Sequence, residues 1–264
     1  MLLSNQEKVI DFYKNRNEDG RARESKADSL EFHYTKKLLC EFISADTDVI
    51  EIGCATGYYG MYFSDFCNTY TGLDLSPNNI SIFNDKIVAA GKINISAAVG
   101  NALDLSEISD ESFDVVLCLG PMYHLSHDER LKAFGECFRI ARKGAILAFA
   151  YVNRLGVYAA GCFNDKWRAF YPNGEAEKYI LDLGTSDEQP GLFFFTSPEE
   201  MENDAKQINL KTIKNCGLDF MFAQCAIENM SEEKFNLYMN LANKMVESPS
   251  CTGLSNHALM ICKK

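Results

Sequence analysis

The sequence predicts an α/β fold, a doubly wound and mostly parallel sheet, and three observations carry that reading. Between residues 48 and 150, short runs rich in Val, Ile and Leu alternate with stretches of helical periodicity. Several of those runs are apolar throughout, as strands covered on both faces must be. The first four each end in a turn that carries Gly53, Asp74, Gly100 or Gly120, so four loops gather at the carboxyl edge of one sheet.

The chain of 264 residues is long enough for one large domain with an elaborated edge. Its 47% hydrophobic and 12% aromatic content exclude a disordered chain. A net charge of -11 without any run of Lys or Arg argues against a nucleic-acid partner, whose phosphates demand clustered cations. The ten cysteines are scattered with no C-x-x-C pair, which reads as reduced, small apolar side chains rather than metal ligands or disulfides. Polar Asn5 to Lys8 follow the first residues at once, unlike a signal peptide, and no apolar run approaches the ~20 residues of a membrane span. A soluble, cytoplasmic protein with no membrane partner is expected.

Taken in order, residues 4 to 16 suit a short amphipathic helix capped by Ser4, and 29 to 43 a second. Val49, Ile50 and Ile52 then mark a buried strand that opens onto Gly53-x-x-x-Gly57-x-x-Gly60 and a helix from about Tyr58 to Cys67. Such a strand-loop-helix unit offers free backbone N–H groups and a positive helix end to a ligand. The spacing lacks the second glycine of Gly-x-Gly-x-x-Gly, which disfavours a dinucleotide, and no Gly-Lys-Ser/Thr is present for a phosphate loop.

Residues 69 to 75 form a strand ending in Asp74, 23 residues past Glu51, where an acid reaches the hydroxyls of a ribose held over the Gly53 turn. On this reading Asp74→Ala weakens cofactor binding and leaves the fold intact. Pro77 to Gly91 is a helix with a proline start and a glycine stop. Residues 93 to 99 are strand three, running into Gly100 to Asp104. Residues 112 to 119 are strand four, ending in Gly120-Pro-Met-Tyr-His-Leu125, and a helix from about Asp128 to Ala141 leads to strand five at 145 to 150.

Glu51-x-Gly53-x-x-x-Gly57 resembles motif I of the class I S-adenosylmethionine-dependent methyltransferases. Gly100 to Asp104 resembles their motif II, with Asn101 where the family more often has Asp, and Phe113-Asp-Val-Val followed by Gly120 to Leu125 resembles motif IV of their bacterial small-molecule type. The resemblance implies a Rossmann-like sheet of seven strands with an antiparallel last strand, and S-adenosylmethionine as cofactor with S-adenosylhomocysteine as product. It also implies Glu51 accepting from the cofactor's amino group, Gly53, Cys54 and Gly57 giving backbone access, and Asp74 with Leu75 at the ribose. Asn101 and Ala102 fall at the adenine, Leu119 at the end of strand four, and Tyr13 and Arg21 over the methionine end.

The expected organisation is an N-terminal helical cap (1–45), the cofactor-binding core (46–150), a lid inserted after strand five (151–200) and the rest of the core (201–264). In that last part, Lys211 to Cys216 leads into strand six at Leu218 to Ala226. A helix from Glu232 to Glu247 and strand seven at His257 to Cys262 complete the chain.

A sulfonium methyl is already activated, so such an enzyme aligns a nucleophile and, for a hydroxyl or acidic carbon, removes a proton. His124 and Tyr123 are the catalytic candidates; Met122, Arg154 and Trp167 are the substrate candidates, with a small-molecule methyl acceptor expected. The other readings are a nicotinamide oxidoreductase, a non-catalytic S-adenosylmethionine-binding module, and a methyltransferase acting on protein or tRNA. Oligomeric state is left open.

Overall fold

The structure is a computed structural model that describes residues 4–14, 20, 25–163, 174–185, 192–220 and 227–264. Arg21, Trp167 and the end of the expected strand six, 221–226, lie outside the described residues.

The elements are α1 (Asn5–Tyr13), α2 (Lys26–Leu39), β1 (Asp48–Ile52), α3 (Tyr58–Phe63), β2 (Thr69–Asp74), α4 (Pro77–Ala90), β3 (Ile95–Val99), β4 (Phe113–Cys118), α5 (His127–Ile140), β5 (Ala141–Val152), α6 (Arg154–Phe163), α7 (Pro198–Gln207), β6 (Lys211–Gly217), α8 (Glu232–Val246) and β7 (His257–Lys263). The strands form one seven-stranded sheet in the order β3-β2-β1-β4-β5-β7-β6, with β1 to β5 parallel and β7 antiparallel to both its neighbours.

The period of two along each strand sends residues to two cores. Val49 joins the apolar layer under α2, α3, α4 and α8, while Ile50 and Ile52 join the layer under α5 and α7. In β7, Leu259 and Ile261 face the first layer, and Ala258, Met260 and Cys262 the second. Both faces are thereby covered, and function is left to the strand ends.

Several boundaries differ from the sequence reading: α2 is Lys26–Leu39 rather than 29–43, α3 stops at Phe63 rather than Cys67, and two strands are placed differently. Strand five begins at Ala141 rather than 145, because Arg142 is pinned by Asp48 at 3.1 Å and Asp114 at 2.6 Å and the chain passes Gly144 through a bulge. Strand six is Lys211–Gly217, the segment read as its lead-in. An edge strand alternates polar and apolar residues, whereas the apolar Leu218 and Phe220 that suggested a strand are buried beyond its end. No helix among the described residues is long and apolar enough to cross a membrane.

Candidate active site

A cleft opens at the carboxyl ends of β1, β2, β3 and β4, roofed by α1. A capping box sets the start of α1: Ser4 Oγ accepts from the Glu7 N–H, and the Glu7 carboxylate accepts from the Ser4 N–H at 2.8 Å. Asn5, Gln6, Val9, Ile10 and Tyr13 of this helix line the cleft. Its apolar stripe therefore faces a cavity, not a core, and none of its residues is buried.

The first loop is built close to the fourth. A Cβ on Gly53, whose φ is +78°, would stand 2.5 Å from Pro121 Cδ, so the turn keeps its contact only with glycine there. Four of the loop's N–H groups, those of Gly53, Cys54, Ala55 and Gly57, are spent. Gly53 and Cys54 both donate to the Leu73 carbonyl at 2.7 and 2.9 Å, Gly57 donates to Cys54, and Ala55 donates to Asp74 Oδ2 at 2.9 Å. A turn so committed holds shape and is poorly suited to a pyrophosphate.

Asp74 organises the second loop. Oδ1 accepts from the Ser76 N–H at 2.9 Å and from the Asn79 amide at 3.1 Å. With Ala55 on Oδ2, three of roughly four acceptor positions are taken and one remains toward the cleft. Burial raises the Asp74 carboxyl above its ordinary range, against the lowering effect of these bonds. In the third loop Asn101 Oδ1 accepts from the Leu103 N–H at 3.0 Å, and Gly100, Asn101, Ala102 and Leu103 line the wall.

The fourth loop is a 3-10 turn, Pro121–His124. His124 Nδ1 lies 2.7 Å from the Leu192 carbonyl, which can only accept, so this nitrogen carries the proton. Nε2 is then the acceptor in the neutral ring, and the Tyr13 hydroxyl donates to it at 2.9 Å. Rings of Phe12 and Phe193 pack around this pair, with Phe193 4.9 Å from His124 and 5.3 Å from Phe12, centroid to centroid.

Of the sequence candidates, Tyr13, Gly53, Asp74, Leu75, Asn101, Ala102, Tyr123 and His124 line the cleft. Others are elsewhere. Glu51 is 1% exposed on the opposite side of β1 from Ile52, and its carboxyl oxygen Oε2 accepts from the Tyr70 hydroxyl at 2.5 Å. Cys54 is buried beneath the turn, close to Gly72; Gly57 faces Phe83, and Leu119 is buried in the α2-side core. Met122 is buried in the layer under α5. Arg154 forks onto the Glu200 carboxylate and lines a second, separate hollow. The substrate roles expected of Met122 and Arg154 are thus not available at this cleft, because one fills a core and the other is committed to an ion pair. Sequence reasoning missed Asn79, whose place in the first turn of α4 beside Asp74 was a usable signal, and Phe193, which had none.

Glu51 has a consequence for stability. Burial pushes its carboxyl up to about 8, against the lowering effect of Tyr70. The folded chain keeps this proton while the unfolded chain releases it near 4.5, so its contribution is full below about pH 4.5 and is lost as pH rises to about 8. The slope is roughly 1.4 kcal/mol per pH unit. Glu51→Gln should remove that slope, gaining about 2 kcal/mol on wild type between pH 6 and 8 in urea unfolding; parallel curves for the two proteins would reject it.

Among the described residues, the charged side chains lining the cleft are Asp74 and Glu129, both acids. They would repel a dinucleotide's phosphates and suit a cofactor that bears a sulfonium and an ammonium. Residues 50–149 match the family model described as "Methyltransferase domain". Those residues thus carry a methyltransferase domain, similar to the domains of the class I S-adenosylmethionine-dependent enzymes. The cofactor of the family is S-adenosylmethionine, and the acids and the open Asp74 position fit it.

The chain is 26% identical over 107 residues to phosphoethanolamine N-methyltransferase of Plasmodium falciparum, covering 40% of this chain and 39% of that one. It is 23% identical over 179 residues to a ubiquinone biosynthesis O-methyltransferase of Thiobacillus denitrificans, covering 67% and 69%. The chain spans 39% and 56% of the length of the first curated relatives it matches. The solved structure of the [4+2]-cyclase SpnF shares the fold over 99% of this chain and 97% of its own, with a TM-score of 0.62 at 14% identity.

Proposed function

We propose that the chain transfers a methyl group from S-adenosylmethionine to an O, N or C nucleophile of a small molecule, with Tyr13 and His124 handling the proton. The observation that carries this reading is the Tyr13 to His124 hydrogen bond at the mouth of the cleft, beside the Gly120–Pro121 loop. The bound cofactor supplies an activated methyl on sulfur. Asp74 holds the ribose through its remaining acceptor position, and Asn101 with the loop to Leu103 frames the adenine. Tyr13 Oη takes the proton of the acceptor's nucleophile while giving its own to His124 Nε2, and the imidazolium so formed keeps its Nδ1 proton on the Leu192 carbonyl.

The roof over the cleft supports a small acceptor over a protein or an RNA, and the net charge of -11 speaks further against RNA. Two relatives are named for methylation of small molecules, one at nitrogen and one at oxygen. The described cysteines are all free, which supports a reducing, cytoplasmic setting. The test is S-adenosylhomocysteine release over a panel of amines, phenols and alcohols. Release with one class supports the proposal; cofactor binding with no release on any acceptor would favour a non-catalytic binding module.

Asp74→Ala is expected to weaken S-adenosylhomocysteine binding by about 10- to 100-fold, the worth of a hydrogen bond to a charged acceptor. Contrary to the sequence expectation, it should also destabilise the fold by about 1–2 kcal/mol, because Ala55, Ser76 and Asn79 lose their acceptor. Calorimetry and thermal unfolding on the same sample separate the two effects.

A further inference from the structure

An adenine held against the third loop finds no side-chain acceptor there for its amino group. The one side-chain oxygen of Asn101 accepts from the Leu103 N–H at 3.0 Å and closes the turn. Because that donor is a backbone N–H, the amide's orientation is fixed. Its Nδ2, which can only donate, is left for the cleft that Asn101 lines. Adenine presents a ring nitrogen that accepts beside an exocyclic amino group that donates. Asn101 serves the first and not the second.

The missing oxygen comes from α5. Glu129 and Glu136 are seven residues apart on this helix, nearly two turns, so they share one face about 10 Å apart along the axis. Glu136 Oε2 accepts from the Leu105 N–H at 2.7 Å, which turns that face to the third loop. Ala133, between the two acids, belongs to the same apolar layer as Ala102 and Leu105. Glu129 thus stands at the end of α5 that reaches the cleft, and it lines the cleft together with Asn101 and Leu103. Its Oε2 accepts from the Ser126 N–H at 2.9 Å and the Ser126 hydroxyl at 2.8 Å, a capping box that holds the carboxylate in place. Among the described residues, Oε1 has no hydrogen-bond partner.

We propose that Glu129 Oε1 accepts from the 6-amino group of the cofactor's adenine and so selects a 6-amino purine over a 6-oxo purine. This rests on the reading of the cleft as a site for S-adenosylmethionine. A 6-oxo purine would set a carbonyl oxygen against the carboxylate, two acceptors with no proton between them. An aspartate at position 101 would keep a second oxygen for the amino group; with asparagine there, the acceptor is on α5 instead.

The test is isothermal titration of the full chain with S-adenosylhomocysteine and with S-inosylhomocysteine, its 6-oxo counterpart. Wild type should bind the adenine form about 10- to 100-fold more tightly, the worth of a hydrogen bond to a charged acceptor. Glu129→Gln keeps the capping box, since the glutamine oxygen accepts from the Ser126 N–H, and it turns an NH2 to the cleft. The ratio of the two affinities should then fall to about one or below. Retained binding of the 6-oxo form shows that this variant is folded. Asn101→Asp in the Glu129→Gln background supplies a free acceptor and should restore the preference for the adenine form. A wild type that binds both forms equally, or a Glu129→Gln protein that keeps the wild-type ratio, overturns the proposal and leaves the cofactor reading intact. Binding of neither form by the wild type would remove the cofactor reading and the proposal with it.

Discussion

Gly57→Ala should destabilise the protein by about 3 kcal/mol, which sums a left-handed penalty of about 1–2 kcal/mol for a residue with a Cβ and an overpacking cost of about 1–3 kcal/mol. Gly57 has φ +83°, and a Cβ there would stand 2.1 Å from two ring atoms of Phe83. That ring is fully buried between the motif turn and α4, so it has nowhere to retreat. Urea unfolding measures the loss. Gly57→Ala in a Phe83→Leu background should lose less than the sum of the two single changes, since the smaller side chain relieves the clash. Gly91 serves as the comparison: its φ is +61°, but nothing lies within 4 Å of a Cβ, so Gly91→Ala should cost only the backbone penalty of about 1–2 kcal/mol.

His124→Gln should lower turnover by about 10²–10⁴-fold while leaving S-adenosylhomocysteine affinity within about threefold of wild type. Glutamine can keep a hydrogen bond to Tyr13 or to the Leu192 carbonyl, but it cannot hold the proton that Tyr13 passes on. Tyr13→Phe removes the other half of the pair at the 2.9 Å contact. Because the two residues act on one proton, the double variant should be no slower than the slower single. Effects that multiply would show that the residues act separately. A turnover unchanged by His124→Gln would reduce the pair to a tie between α1 and the fourth loop.

The sequence revealed what depends on local pattern. β1, β4 and β7 were legible as apolar runs and β2 by its closing acid, and the loops after β1 to β4 carried Gly53, Asp74, Asn101 and His124 to one cleft. What it hid depends on the direction of single side chains or on distant partners. Glu51 and Ile52 are neighbours on β1, and only the pairing of that strand decides which of them faces the cleft and which faces Tyr70. Met122 follows Pro121 in a tight 3-10 turn that sends it into the core while Tyr123 lines the cleft. Arg154 finds Glu200 46 residues along the chain, a pairing that no local motif signals. The apolar stripe of α1 was visible, but amphipathicity alone does not say whether a helix covers a core or a cavity.

Asp74 organises the cleft under α1 as the proposed site for S-adenosylmethionine. Isothermal titration of the full chain with S-adenosylhomocysteine tests it most directly. Saturable binding at one site per chain is expected, weakened about 10- to 100-fold in Asp74→Ala and unaffected by competing NADH. Absence of binding by the wild type, or equal affinity in Asp74→Ala, would contradict it.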